Sequence, residues 1–351
     1  MNLKGVEPPQ GVRIIYNDDT GAPDAHNPVD ARLYPDLEEV AETAAEVDAA
    51  LRAEGFRTVV TPLRASGRGA LTDFVREISA GAEGMIFNIC EGAFGRSSLE
   101  MNVAALLELH GLKFTGSPSL TLGLSLDKGL SKDILSSRGI MTPDYCVLND
   151  VPSKLKGHLD FPLIVKPLRE DASIGIDSGA VVSTMKELKA RVELVLTKYK
   201  QPAIIEEYIE GREFNVAVIG NGKEMKALPL AELTFVDFPA GVPRICSYEA
   251  KWLPTSVLYK KTVPQCPADV SEELQAEMTV VAERAYEAMG CRDYARVDMR
   301  VGESGILKVL EVNPNPDLSS NAGLARAAGA AGFSYSKFIA GIVATAAKRY
   351  E

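Results

Sequence analysis

Asp298 and Glu311 are the residues whose types and spacing first suggest chemistry. They lie in Tyr294-Ala-Arg-Val-Asp-Met-Arg300 and Ile306-Leu-Lys-Val-Leu-Glu-Val-Asn313, two apolar, β-branched runs around Val301-Gly-Glu-Ser-Gly305. That pattern predicts a β-hairpin. With Ser304-Gly305 as a two-residue turn, Glu303 pairs with Ile306, Asp298 faces Glu311 and Arg296 faces Asn313. Alternate residues share a face, so all four project from one side. Two carboxylates directly opposite each other repel. A hard cation between them removes the repulsion, and Mg²⁺ typically takes one or two carboxylates and leaves its other positions to phosphate and water. A solvated face of mixed charge is the ordinary alternative. Against it stand an apolar reverse face (Val297, Met299, Leu310, Val312) and an abrupt end at Asn313-Pro-Asn-Pro316. A turn one residue longer would send Asp298 and Glu311 to opposite faces.

The elements that must hold such a site come from 351 residues, 46% hydrophobic and 25% charged, enough for two or three domains. A net charge of -10 argues against a nucleic-acid partner. No apolar run approaches the roughly 20 residues that span a bilayer, and the first residues lack an apolar signal core. A cytoplasmic protein that binds neither nucleic acid nor membrane is expected. Cys90, Cys146, Cys246, Cys266 and Cys291 are scattered, without a C-x-x-C, as suits a reducing compartment. The histidines are His26, His110 and His158, with His110 at a helix end, so a histidine triad or zinc site is not expected. Chemistry must run on carboxylates, lysines and arginines.

Taken in order, residues 12 to 16 form a strand and 17 to 35 a long polar loop of the kind that is functional or disordered. Asp36 caps a helix ended by Gly55; a strand at 58 to 62, a helix at 69 to 80 and a strand at 85 to 89 follow. This alternation predicts a parallel sheet, with ligands beyond the carboxyl ends of its strands, in the loops after Tyr16 and Ile89. A second unit begins near Ser119, with a helix from the exposed pair Asp127-Lys128 to Arg138. Strands 163 to 167 and 180 to 183 flank the polar loop Leu168–Gly175, a possible flap over phosphates, and a helix at 185 to 199 and strand 203 to 208 close the unit. A third unit holds strands at 214 to 219 and 223 to 229, an irregular stretch from 232 to 266, a helix at 271 to 290, the hairpin, and helices at 321 to 330 and 334 to 348. The segments are 1–118, 119–211 and 212–351.

Six landmarks in one order are Leu126-Asp-Lys128, Phe161-Pro-Leu-Ile-Val-Lys-Pro-Leu-Arg-Glu170, Ile205-Glu-Glu-Tyr-Ile-Glu-Gly-Arg-Glu-Phe214, Glu249-Ala-Lys251, Ala295-Arg-Val-Asp298 and Leu310-Glu-Val-Asn313. From about residue 84 to 350 the chain resembles the ATP-grasp superfamily, and within it the D-alanine–D-alanine ligases. The resemblance implies an α/β fold (α+β ATP-grasp), in which an N-terminal Rossmann-like domain precedes two α+β subdomains that grip ATP. It implies transfer of the γ-phosphate of ATP to a carboxylate, then attack of an amine on the acyl phosphate. Lys128 and Lys166 would hold the phosphates and the adenine side. Glu206 and the backbone at Glu207 and Ile209 would meet adenine, Glu213 the ribose, and Lys251 the phosphates, with Ser173 of the flap counted among the ATP contacts. Asp298, Glu311 and Asn313 would bind two Mg²⁺, which Mn²⁺ could replace. Arg296 would stabilise the transferring phosphoryl group. Such chemistry needs positioning and concentrated positive charge rather than covalent help. A homodimer through the N-terminal domain is the family expectation.

The substrate end departs from the family. A Gly-Gly-x-Ser-x-Glu stretch after the first strand is replaced by Asn17-Asp-Asp-Thr-Gly21, and His-Gly after the third by Glu91-Gly92. The flap serine is Ala172, next to Ser173; the tyrosine after the lid lysine is Trp252. Pro-Gly becomes Pro316-Asp317, and the Ser-Leu pair that holds the second D-alanine's carboxylate becomes Ala322-Gly323. The expectation is an ADP-forming carboxylate–amine ligase on amino-acid-like substrates other than two D-alanines, with Glu91, Asp18, Arg96, Asp317 and Arg326 as candidate substrate contacts. A divergent D-alanine–D-alanine ligase for cell-wall precursors is one alternative. The other is a catalytically silent nucleotide-binding regulator, which would have no need of Arg296.

Overall fold

The computed structural model describes residues 11–20, 39–65, 69–80, 84–155, 157 and 159–351. Strands β1 (Gly11–Asp18), β2 (Arg57–Arg64) and β3 (Met85–Asn88), linked by α1 (Glu39–Ala53) and α2 (Ala70–Ser79), make a parallel sheet in the order β2-β1-β3. The expected cap at Asp36 and all but the first residues of the polar loop lie outside the described residues. Next come α3 (Glu100–Leu109), α4 (Ser119–Leu126) and α5 (Lys128–Ser137). The pair Asp127-Lys128, expected on the surface, is buried. Asp127 is the N-cap of α5, accepting from the Gly129 and Leu130 N–H groups at 3.1 Å each, and it pairs with Arg169 at 2.7 Å. A cap that satisfies two orphan donors holds the first turn, and with it Lys128.

Strands β4 (Tyr145–Leu148), β5 (Leu163–Pro167), β6 (Val181–Val182) and, after α6 (Met185–Leu194), β7 (Ala203–Glu207) form an antiparallel sheet ordered β4-β7-β5-β6. The third sheet is built from β8 (Gly211–Ile219), β9 (Lys226–Ala227), β10 (Ala231–Phe235), β11 (Thr262–Gln265), β12 (Tyr294–Gly302) and β13 (Leu307–Asn313). Helices α7 (Tyr248–Trp252), α8 (Val257–Lys261) and α9 (Glu272–Ala288) lie between these strands in the chain. Its order is β11-β10-β8-β12-β13, with β9 on β8. The stretch 232 to 266 therefore holds the rest of β10, two short helices and a strand, each too short to show periodicity. Finally α10 (Gly323–Ala330) leads to α11 (Tyr335–Ala347), whose Phe338, Ile342 and Val343 pack with Val12, Ile14 and Phe87. The end of the chain thus completes the core of the first sheet.

The third sheet has one apolar and one polar face. Phe214, Val216 and Val218 of β8, Val297 and Met299 of β12 and Val309 of β13 are fully buried under α9, beside its Met278, Ala282 and Ala285. Each such side chain is worth roughly 1.5–3 kcal/mol of burial, so a slip that exchanged the faces is strongly opposed. The opposite face carries Glu213, Asn215, Arg296, Asp298, Arg300, Glu311 and Asn313.

Asp298 stands opposite Glu311 and Arg296 opposite Asn313, but not through the expected two-residue turn. The loop is Glu303-Ser304-Gly305, closed by Gly302–Ile306 and Gly302–Gly305 backbone bonds, with Gly305 at φ +77°. That turn alone would set Asp298 against Leu310. A β-bulge shifts the register between Asp298 and Met299, making Leu310 the extra residue and restoring the opposition. Leu310, expected on the apolar face, instead lines the cleft.

Just before β12, the fully buried Asp293 accepts from the Gly116 N–H (2.8 Å), Asn221 (2.8 Å) and both Nε and Nη2 of Arg349 (2.9 and 2.8 Å). It joins the exit from the first sheet, the turn after β8 and the end of the chain. Asp293→Ala leaves the Arg349 charge without that partner and should lower the unfolding free energy by about 3–5 kcal/mol in chemical denaturation. A loss below about 1 kcal/mol would contradict this role.

Candidate active site

The polar face of the third sheet forms one wall of a cleft of about 930 Å³. Arg296 grips Asp298 with Nε on one carboxylate oxygen and Nη2 on the other, both at 2.7 Å, and Asn215 donates to the same carboxylate at 2.7 Å. Alternation along β12 puts Arg296 and Asp298 on one face, and the β8 register sets Asn215 beside Asp298. Burial pushes both carboxyls up; Lys128, Arg296, Lys166 and Lys251 together outweigh it at Glu311 and hold that carboxyl well below its ordinary value, whereas at Asp298 burial prevails over Arg296. Lys128 Nζ lies 3.8 Å from Glu311 and donates to the Glu170 carbonyl at 2.5 Å. Asn313 Oδ1 accepts from the Asn315 N–H at 2.9 Å. Two carboxylates and an amide oxygen on one face are a hard-oxygen donor set, which fits Mg²⁺ or Mn²⁺ and not a thiolate or imidazole metal.

On the second sheet, Glu206 of β7 is 1% exposed and lies between two lysines, Lys166 at 2.8 Å and Lys132 at 3.3 Å. Burial raises Glu206, but Lys132, Lys166 and Lys128 bring it below its ordinary value. Burial lowers Lys132, which has one carboxylate partner and the like charge of Lys166 beside it, and there burial prevails. Further along, Arg300 donates through Nε (3.0 Å) and Nη2 (2.7 Å) to a single oxygen of Glu213. Its Nη1 donates to the Ile209 carbonyl at 2.7 Å.

The loop between β5 and β6 is clasped to the segment carrying Lys251. Trp252 Nε1 donates to the Ala172 carbonyl at 2.8 Å, and Ser173 Oγ donates to the Cys246 carbonyl at 2.8 Å. Ala172 and Ser173 take the left-handed backbone (φ 53° and 60°), sparsely populated for side-chain-bearing residues. Lys251 Nζ sits 4.6 Å from the Trp252 ring centroid. Arg191 holds the base of the loop through Asp177 (2.8 Å) and the Gly175 carbonyl (2.6 Å).

A family model described as D-ala D-ala ligase C-terminus matches residues 135–344. A D-alanine–D-alanine ligase of Bordetella petrii is 33% identical over 77% of this chain and 78% of its own. The chain belongs to the D-alanine–D-alanine ligase family. An uncharacterised Sinorhizobium fredii protein, y4sG, is 37% identical over 88% of both chains. In fold, the chain is similar to the Bacillus anthracis D-alanine–D-alanine ligase solved with ATP (TM-score 0.70, 23% identity, 97% and 98% of the two chains). It is also similar to the Enterococcus faecalis VanG D-Ala:D-Ser ligase (TM-score 0.70, 20% identity, 96% and 99%). The protein is thus an ATP-grasp ligase that forms C–N bonds, an ATP-dependent carboxylate–amine ligase. No single helix among the described residues is long and apolar enough to cross a membrane.

In this D-alanine–D-alanine ligase relative, Lys166, Ser173, Glu206, Glu207, Ile209, Glu213, Lys251, Arg296, Asp298, Glu311 and Asn313 line one cleft, and Asp317 and Arg326 line it too. Several of their groups are already engaged. The Glu206 carboxylate is shared by two lysines, the Glu207 N–H goes to the Asp144 carbonyl (2.8 Å) and its carboxylate to Lys308 (2.5 Å), and Ser173 fastens the lid. Three expected substrate contacts, Asp18, Glu91 and Arg96, lie in the first unit and are not among the residues that line this cleft. Asp18 accepts from the Thr20 N–H at 3.2 Å and faces Arg64, Arg96 is exposed at the end of a tight turn with Ala93, and the Glu91 N–H meets Asn17 at 2.9 Å. Sequence reasoning missed Asn215, Arg300 and Lys132. Each was within reach of simple periodicity: Asn215 two residues after Glu213, Arg300 two after Asp298, Lys132 one helical turn after Lys128.

Trp252 is the chain's single tryptophan and sits on the clasp, so intrinsic fluorescence reports it directly. Trp252→Phe removes a hydrogen bond worth about 0.5–1.5 kcal/mol, and amides 171–176 should exchange with deuterium roughly 2–10-fold faster. Unchanged exchange would show that the indole N–H does not hold the loop.

Proposed function

We propose that the chain joins an amino-acid-like carboxylate to an amine through an acyl phosphate, with substrates other than a pair of D-alanines. The observation that carries this reading is a contrast within one cleft. Arg296, Asp298, Glu311, Asn313, Lys166 and Lys251 converge there, while Ala322 and Gly323, without a hydroxyl, line the cleft beside Asp317 and Arg326 at the positions that the resemblance matches to the family's contact with the second D-alanine. A substrate carboxylate matched to a lost hydroxyl would be left short of a partner, at a cost of about 1–3 kcal/mol.

In this reading Lys128, Lys166 and Lys251 bind the triphosphate, Glu213 receives the ribose hydroxyls on its oxygen not held by Arg300, and Asp298, Glu311 and Asn313 hold two Mg²⁺. Bound there, the metal would neutralise phosphate charge. Arg296, now paired with Asp298, is placed to share its guanidinium with the transferring phosphoryl group. A carboxylate oxygen attacks the γ-phosphorus and the bond to ADP breaks. The amine then attacks the acyl carbon, inorganic phosphate leaves and the amine loses a proton. The Trp252–Ala172 and Ser173–Cys246 bonds keep the loop over the cleft and exclude water from the acyl phosphate. Asp317 and Arg326 are the acceptor-side contacts this reading favours.

A second reading, a D-alanine–D-alanine ligase with a rebuilt pocket, is favoured by the relationship to the Bordetella enzyme. Phosphate release from ATP, measured with single and paired D- and L-amino acids, dipeptides and small carboxylic acids, separates the two when products are identified by mass. Release with D-alanine alone, yielding the dipeptide, would overturn the first reading; release only with another pair supports it. With that pair, Arg296→Met should lower kcat by about 10²–10³-fold while ATP affinity stays within a few-fold. Retained turnover would remove Arg296 from the mechanism.

A further inference from the structure

Lys132 is buried to 1% exposure, and nothing in the chemistry above requires it. Lysines are almost never buried without compensation. Neutralising Glu206 does not explain it, because Lys166 already meets that carboxylate at 2.8 Å and a second ammonium adds repulsion.

What distinguishes Lys132 is what it joins. On α5, one turn after Lys128, its Nζ stands 3.3 Å from Glu206 of β7 and donates to the Leu310 carbonyl of β13 at 3.2 Å. These partners belong to different sheets. Leu310 is the bulge residue, and the Met141 carbonyl, in the segment after α5, takes the adjacent Val309 N–H at 2.8 Å. The α5 segment therefore grips β13 on both sides of the irregularity that puts Glu311 opposite Asp298. A bulge disrupts the ladder and leaves its extra residue unpaired, and a buried carbonyl without a partner costs about 1–3 kcal/mol.

We infer that Lys132 is a positioning residue that pins the bulged Leu310 carbonyl and the Glu206 carboxylate together, fixing Glu311 opposite Asp298 and locking the metal-side sheet to the nucleotide-side sheet. It acts through Leu310 and Glu206, not on the reacting atoms. This rests on the proposed metal role of Asp298 and Glu311.

The test is the binding of a fluorescent ATP analogue to the full chain, titrated with Mg²⁺ and repeated in EDTA. Lys132→Met should raise the Mg²⁺ midpoint at least 10-fold and leave affinity in EDTA within about 3-fold. A merely structural lysine would lower thermal stability and leave the Mg²⁺ midpoint where it was, and that result would overturn the inference. Deleting Leu310 removes the bulge while keeping Asp298 opposite Glu311, so in the Lys132→Met background it should return the midpoint toward wild type. If Lys132→Met alone fails to fold, the same double variant decides. Recovery of folded, Mg²⁺-responsive protein supports the inference, and failure to recover places the need for Lys132 elsewhere and overturns it. Wild-type nucleotide binding indifferent to Mg²⁺ would overturn the metal reading itself, and this inference with it.

Discussion

Two carboxylates opposed on neighbouring strands repel, and much of the third sheet can be understood as the arrangement that makes the opposition of Asp298 and Glu311 tolerable. Arg296 and Asn215 bond directly to Asp298, and Lys128, Lys166, Lys251 and Arg296 surround Glu311 with enough positive charge to overcome burial. The apolar reverse face, packed under α9, forbids the one-residue slip that would relieve the repulsion. The face is therefore charged by construction, with oxygen donors and cations in close array, and such an array suits a metal–triphosphate ligand better than water.

The lysines of this array come from other elements, which explains the fold around it. Lys128 is presented by a helix whose first turn is capped by Asp127, Lys166 by a central strand of the second sheet, and Lys251 by a short helix clasped to the loop over the cleft. The resemblance would put a serine at position 172 and a tyrosine at 252; here the Ala172 backbone carbonyl receives the indole N–H of Trp252.

Much of this was legible in the sequence because the signals were periodic. The alternation in 294–313 identified the polar face, the strand–helix–strand order gave the parallel sheet, and Gly55 marked a helix end. The hairpin expectation reached the right pairing by the wrong path. It assumed a two-residue turn and a regular ladder, whereas the longer turn and the bulge at Leu310 cancel. No local propensity announces a bulge of that kind; it is held by tertiary contacts from Lys132 and Met141. The burial of Asp127-Lys128 was likewise invisible, because it depends on Arg169 and Glu170, some 40 residues away. The short strands β4 and β11 carry too few residues for a period to declare itself.

The central claim is that the Asp298–Glu311 face is a metal–nucleotide site. The most direct measurement is the number of Mn²⁺ ions bound per chain, read by electron paramagnetic resonance with and without a non-hydrolysable ATP analogue, in wild type and Glu311→Gln. The account predicts two ions per chain that bind tightly only with the nucleotide, and a loss of at least one in Glu311→Gln. Mn²⁺ binding that ignores the nucleotide, or is identical in the two proteins, would contradict it.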